Sequence, residues 1–384
     1  MAAARAGAFE SFLRHLAEQA EVAEALRRLP ESTLEQAQAL GFFETLVPKR
    51  FGGAAQDFPA FLDLVRRMGQ SCTSSAWTLS FLALHAWLLC KFEPELQAEL
   101  FAGGRTPRMP APLAPTGRAE PAPGGFRVSG RWEWATGVMH ADWVMVTCTE
   151  ASTPAPRFCV LPIDAVVVED NWQVAGMAGT GSNAVRAENA FVPAHRTVEA
   201  LRLKLGRSPG ETIHDDPRIA YPLGPTLALV AATPALGAAE GALDAFTERM
   251  KAKLQAYSGA KHAELPATHL RLGEALADVR AARLVWQDAA RRLEEIGPLG
   301  AAAPVAALAE IRLASAHVVR LANQAVNTLA AAAGASSGYT SAPLQRQLRD
   351  VQMIRGHVIF DWDRAAQIAG KLELGVPPAP ADML

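Results

Sequence analysis

Residues 345–366 read QRQLRDVQMIRGHVIFDWDRAA. The spacing predicts one continuous helix with His357 in its middle. Asp350, Ile354, His357 and Asp361 recur at i, i+4, i+7 and i+11, which puts them on one helix face. No Asp or Glu stands between Asp350 and Asp361, so no carboxylate accompanies the imidazole on this stretch. An imidazole, with a reference pKa of ~6.5, exchanges protons near neutral pH. His357 is therefore either a packed structural histidine or a group that works on a ligand, and the rest of the chain must decide.

Working outward, the 384 residues suit two or three domains, and half of them are hydrophobic, ample for a core. The net charge of −2 carries no basic excess for nucleic acid and no acidic tail. Cys72, Cys90, Cys148 and Cys159 show no CxxC spacing and read as reduced, buried thiols of a cytoplasmic protein. MAAARAGAFESFLRHLAEQAE lacks a continuous apolar core and soon carries acids, so it does not read as a signal peptide. The most apolar stretch, YPLGPTLALVAATPALGAAEGAL, is interrupted by Pro222, Pro225 and Pro234. It falls short of a membrane span and reads as a buried helix. No metal motif or Walker A loop occurs, and no GxGxxG follows a strand, so a Rossmann nicotinamide site is unsupported.

Composition divides the chain into three. Residues 1–105 read as helices, among them SSAWTLSFLALHAWLLCKF, apolar on nearly every face and hence buried. Residues 106–215 are rich in Pro, Gly, Val and Trp, and GGFRVSGRWEWATG, ADWVMVTCTE, RFCVLPI and VVVEDNW read as short strands. Within RWEWATG, alternation puts Trp132 and Trp134 on one strand face with Glu133 opposite. RMPAPLAPTG is too Pro-rich for a regular strand and exposes backbone N–H and C=O groups. GTGSN reads as a hairpin turn. Residues 216–384 return to helical spacing, four long helices in a bundle, before the loosely held tail GVPPAPADML.

The order of helices, β-domain and helices carries a resemblance, and four stretches give it detail: GFFETLVPKRFGG (41–53), APTGRAEPAPGGFRVSGRWEWATGVMHADWVMV (114–146), GMAGTGSNAVRAENAFVPAHR (176–196) and PLQRQLRDVQMIRGHVIFDWD (343–363). Together they resemble the acyl-CoA dehydrogenase superfold, and within it the two-component flavin-dependent monooxygenases that hydroxylate 4-hydroxyphenylacetate or steroid-derived phenols. The resemblance covers nearly the whole chain. It implies an α+β fold with an N-terminal helical domain, a middle β-barrel domain and a C-terminal four-helix bundle.

The resemblance also implies a site. Trp134 and Thr136 would lie against the isoalloxazine near its N5, while Trp132 is a core residue. Leu113, Ala114 and Thr116 would meet the pyrimidine edge, and Gly181 and Ser182 would approach flavin or substrate. Arg249, Lys251 or Lys253 would reach the flavin phosphates; a solvated charged face is the alternative for each. His357 stands where acyl-CoA dehydrogenases commonly place a carboxylate base, and would act as base or hydrogen-bond partner of the substrate. His85, on the apolar helix, is a second catalytic candidate, and His140 a third. The family often places a serine early in RMPAPLAPTG; Met109, Pro110, Ala111 and Pro112 offer no hydroxyl, which implies a different substrate contact.

The function implied is that of an oxygenase component. It takes reduced FMN or FAD from a separate NAD(P)H:flavin reductase and, through a C4a-hydroperoxyflavin formed with O2, hydroxylates an aromatic or polycyclic molecule, without metal. A cytoplasmic homotetramer, a dimer of dimers, is expected by the same resemblance. Oxygenation at nitrogen or sulfur stays open, as does FMN against FAD. The alternatives are an acyl-CoA dehydrogenase with tightly bound FAD, or a non-catalytic fold relative.

Overall fold

The computed structural model describes residues 2–151, 155–204, 206–254, 259 and 261–378. Residues 379–384 of the expected tail and 255–257, the end of one of the four expected long helices, lie outside them. The N-terminal part holds α1 (Ala2–Leu26), α2 (Glu31–Ala39), α3 (Phe58–Ser71), α4 (Thr73–Leu89) and α5 (Pro94–Phe101). Asp57 starts α3 by accepting the Ala60 N–H at 2.7 Å. Its residues Phe58, Phe61, Leu62, Val65 and Met68 recur at helical spacing and are all buried. α4 is buried along nearly its whole length, which is why its sequence shows no polar face.

The middle part is a seven-stranded sheet built from β1 (Gly117–Ala122), β2 (Gly125–Trp132), β3 (Trp143–Glu150), β4 (Pro156–Pro162), β5 (Val167–Glu169), β6 (Ala184–Pro193) and β7 (Thr197–Glu199). The order is β5-β6-β2-β1-β3-β4-β7, with β5 and β7 at the edges. Only β1 and β3 pair in parallel. A core of Val128, Trp132, Val144, Val146 and Val185 lies against it. Trp132 is wholly buried, and its indole N–H donates to the Thr147 carbonyl at 2.7 Å. Glycine is required opposite, because a Cβ at Gly117 would come within 2.0 Å of that indole. The Pro-rich segment 108–112 forms no strand, yet it lies along β3, where the Arg108 and Pro110 carbonyls accept the Asp142 and Met145 N–H groups, each at 2.9 Å.

Trp134 does not share a strand face with Trp132. β2 ends at Trp132, and Trp134 takes a left-handed φ of 64° and is 58% exposed. A bulky side chain at positive φ is strained. The backbone turns because the next loop is laced to residues 180–183: Ala135 N–H donates to the Asn183 carbonyl at 3.1 Å and Gly137 N–H to the Thr180 carbonyl at 2.9 Å.

After α6 (Ala200–Lys204), the C-terminal part comprises α7 (Leu223–Ala252), α8 (Pro266–Ile296), α9 (Val305–Ala333), α10 (Pro343–Arg355) and α11 (Trp362–Glu373). Pro225 and Pro234 do not break α7; they lie inside it, with Pro222 as N-cap. By length and composition α7 could cross a membrane, contrary to the expectation, but 94% of its most apolar window is buried inside the protein.

The stretch 345–366 is not one helix. α10 ends at Arg355 with Gly356 as C-cap, His357 is extended (φ −71°, ψ 133°), and α11 begins after Asp361. Two side chains close the break. His357 Nδ1 accepts the Ile359 N–H at 3.2 Å, and Asp361 accepts the Arg364 N–H at 3.1 Å. The face shared by Asp350, Ile354, His357 and Asp361 therefore does not exist beyond Ile354.

Candidate active site

α4 presents Trp77, Phe81 and His85 at successive i, i+4 positions, so one helix face carries three rings. Trp77 and Phe81 lie 4.8 Å apart between centroids, and Phe81 and His85 5.4 Å. At the other end His357 meets the Trp77 ring edge-on at 5.8 Å. The two histidines expected from sequence thus bracket one aromatic row.

A second row, of hydroxyls, meets the first at Trp77. The indole N–H donates to Thr136 Oγ1 at 3.4 Å; Thr136 and Ser182 hydroxyls are 3.0 Å apart, and Ser182 and Thr180 hydroxyls 2.7 Å. Thr180 also reaches the Met177 carbonyl at 2.9 Å. GTGSN is not a β-hairpin but a short 3-10 turn, Ala178–Thr180, flanked by left-handed Met177 and Gly181. Gly181 faces α1 rather than a cleft: a Cβ there would lie 3.0 Å from the Arg27 carbonyl.

The expected Arg–Asp pair fixes this turn. The wholly buried Asp350 accepts the Met177 N–H at 2.5 Å, and Arg349 donates to the Ala175 carbonyl at 2.5 Å while ion-pairing with Glu24. Gly176 lets α10 sit this close, since a Cβ would come within 2.2 Å of the Arg349 carbonyl. Burial raises the Asp350 pKa to about 7.

The two histidines carry opposite hydrogen-bonding characters, as their partners dictate. His85 is 3% exposed and its Nδ1 lies 2.8 Å from the Met109 carbonyl, which can only accept. Nδ1 therefore holds the proton and Nε2 is a bare acceptor. Burial lowers the His85 pKa to about 4, so the ring is neutral at pH 7. His357 Nδ1 accepts a backbone N–H, so its Nε2 carries the proton and donates. His357 is exposed on its outer side, and desolvation of its inner side lowers its pKa, so the ring is neutral at pH 7.

A lowered histidine pKa stabilises the fold only while the ring is neutral. The His85 contribution is present above about pH 6.5 and is lost as pH falls toward about 4. The span corresponds to roughly 3 kcal/mol. Urea unfolding of wild type and His85→Gln across pH 4–7 is expected to show the shallower acid loss in the variant; parallel curves would exclude the buried neutral ring.

The remaining sequence candidates divide. Leu113 and Thr116 are exposed and Ala114 half-buried, and the Thr116 hydroxyl is already used, donating to the Arg131 carbonyl at 2.7 Å. Lys251 makes an exposed ion pair with Glu248, the solvated-face alternative. Lys253 donates to the Ala333 carbonyl at 2.8 Å. Arg249 bonds Ser336, but its Nε is buried with no partner. No hydrogen bond joins Arg249 or Lys253 to the hydroxyl row among the described residues. His140 Nδ1 lies 3.7 Å from the Glu31 carboxylate. Trp77, Phe81, Thr180 and the docking role of Asp350 escaped the sequence reading. The i, i+4, i+8 rings of α4 were the available signal for the first two.

The exposed, strained Trp134 beside a hydroxyl row suits a flat heterocycle with hydrogen-bonding edges. The unpartnered Arg249 Nε suits an anionic group. A neutral acceptor and a neutral donor on either side of an aromatic row suit an aromatic substrate with a hydroxyl group.

Known proteins share the sequence and the fold. Residues 3–101 match the N-terminal domain model of acyl-CoA dehydrogenase, and residues 229–362 a C-terminal domain model of the same family. The chain is 33% identical over 370 residues to a pigment production hydroxylase of Rhodococcus sp., covering 94% of each. It is 30% identical to the oxygenase component of p-hydroxyphenylacetate 3-hydroxylase from Acinetobacter baumannii, covering 97% of this chain and 89% of that one. The structure superposes with a TM-score of 0.90 on XiaF from Streptomyces sp., solved in complex with FADH2 and glycerol, at 26% identity and covering 99% and 98% of the two chains.

Proposed function

Because the chain belongs to the oxygenase components of two-component flavin-dependent monooxygenases, built on the acyl-CoA dehydrogenase fold, we propose that it takes reduced FMN or FAD from a separate NAD(P)H-dependent reductase and hydroxylates an aromatic substrate. The observation that carries the reading is the junction at Trp77, where the hydroxyl row of Thr136 meets an aromatic row ended by His85 and His357. Reduced flavin, when bound, would supply the two electrons with which one oxygen of O2 enters the substrate while the other leaves as water.

The chain's own residues do the rest. Trp134 forms a wall for the ring system, and Thr136 hydrogen-bonds its reactive edge. Arg249, with its free Nε, and Lys253 are the cations for the phosphates. His85 Nε2 accepts a hydrogen bond from a substrate hydroxyl, which orients it and raises electron density on the ring to be attacked. His357 holds an oxygen through its Nε2–H, so it serves as hydrogen-bond partner rather than base. The side chains around α4 exclude water. In this reading the protein acts in the cytoplasm as a homotetramer.

Anaerobic titration with reduced FMN, and separately reduced FAD, tests the reading. One reduced flavin is expected to bind, with oxidised flavin bound more weakly and the isolated protein colourless. Yellow protein with tightly held oxidised FAD would favour the dehydrogenase alternative, and binding of neither redox state would sink the flavin reading.

A further inference from the structure

The hydroxyl row runs from Trp77 Nε1 through Thr136, Ser182 and Thr180 to the Met177 carbonyl, at 3.4, 3.0, 2.7 and 2.9 Å. Each hydroxyl has one proton. An indole N–H can only donate and a carbonyl can only accept, so both ends are fixed in kind. Two concerted arrangements use every proton once. Inward, Thr136 donates to Ser182, Ser182 to Thr180, and Thr180 to the Met177 carbonyl. Outward, Thr180 donates to Ser182, Ser182 to Thr136, and Thr136 to whatever lies beside it.

The inward sense satisfies all three protons within the protein, whereas the outward sense leaves one for a ligand. The Met177 carbonyl already receives the Thr180 and Trp172 N–H groups, each at 3.1 Å. A third donor there is held less firmly, so the outward sense stays within reach. Asp350 fixes the peptide at the inner end through the Met177 N–H. A ligand edge with an N–H selects the inward sense, and one with a bare nitrogen selects the outward. Isoalloxazine offers both: N5 bears hydrogen when reduced and a lone pair when oxidised.

We propose that Thr180, acting through Ser182, orients the Thr136 hydroxyl, and that the inward default makes the site prefer reduced flavin. This rests on the flavin reading above. Thr180 and Ser182 are positioning residues here, since neither needs to touch the ring. The inference gives the redox discrimination a source in the chain's own hydroxyl protons.

The test is the ratio of Kd for oxidised and reduced FMN and FAD, measured anaerobically on the full chain. Thr180→Val keeps the shape but removes the acceptor of Ser182. The Ser182 proton then turns to Thr136, which donates outward. The preference for reduced flavin is expected to fall about tenfold or more, the reduced form weakening and the oxidised form tightening. Tenfold corresponds to a fall of about 30 mV in the bound flavin's two-electron potential. Thr180→Ser is expected to restore the ratio. Ser182→Ala, which also removes the inward acceptor, should lower the ratio as well and serves if Thr180→Val does not fold. Equal changes in both affinities, failure of serine to rescue, or a wild type without preference overturns the inference while leaving flavin binding intact. A wild type that binds neither form overturns the reading beneath it.

Discussion

His85→Ala is expected to cut substrate hydroxylation by roughly 10–100-fold while bound reduced flavin is still consumed by O2, since a buried hydroxyl left without its acceptor costs about 1–3 kcal/mol. The ring is buried, neutral and locked with Nε2 as acceptor by the 2.8 Å contact of Nδ1 with the Met109 carbonyl. No other described side chain on the aromatic row offers a bare acceptor: Trp77 donates, His357 presents N–H, and Phe81 is apolar. Losing His85 therefore uncouples electron use from product. His357→Ala removes only a donor from the row, together with the cap on the Ile359 N–H, and should cost less, about tenfold at most. Product formed per flavin oxidised, measured with a hydroxylated aromatic that the wild type turns over, decides the matter. Unchanged coupling in His85→Ala would remove the hydrogen-bond-accepting role from this ring.

Asp350→Ala is expected to destabilise the protein by roughly 1–3 kcal/mol through the orphaned Met177 N–H, with a further cost from the cavity. Because Met177 begins the turn that carries Thr180 and Ser182, the variant should also bind reduced flavin more weakly. Asp350→Asn keeps an acceptor for that N–H and separates the two causes. The buried carboxyl has its pKa raised to about 7, so the folded state favours the protonated form. Its contribution is complete below the unfolded value near 3.8 and declines as pH rises through about 7. Asp350→Asn should therefore gain on wild type between pH 6 and pH 8, with Asp350→Ala below both at pH 6. Urea midpoints at the two pH values check this. An alanine variant as stable as wild type at pH 6 would show that the carboxyl does not hold the turn.

Much of the architecture was legible because it rests on local spacing. The helical runs, the strands around Trp132 and the apolar α4 follow from side chains meeting their immediate surroundings. The break at Gly356 was not legible. Gly356 sits at an ordinary right-handed φ of −73°, and the stop depends on His357 and Asp361 turning back to cap the next turns. Pro234 suggested an interruption, yet neighbouring helices hold α7 together around it. The left-handed turn at Trp134 cannot be read from alternation, because it is imposed by hydrogen bonds to residues 180–183. His85, His357, Thr136 and Ser182 were found through resemblance. The residues joining them, Trp77 and Thr180, were missed because their importance arises only when distant segments meet.

The clamp at α10 bears on how the protein is made. Glu24 and Arg349 are 325 residues apart, and Met177 and Asp350 are 173 apart. A nascent chain leaving the ribosome can form its first helices and sheet long before either partner emerges. Until then the Met177 amide has no carboxyl to bind and the aromatic row lacks His357. Closing such long loops late is slow but entropically modest. A translation product released before α10 would carry most of the flavin wall without the helix that fixes its hydroxyl turn.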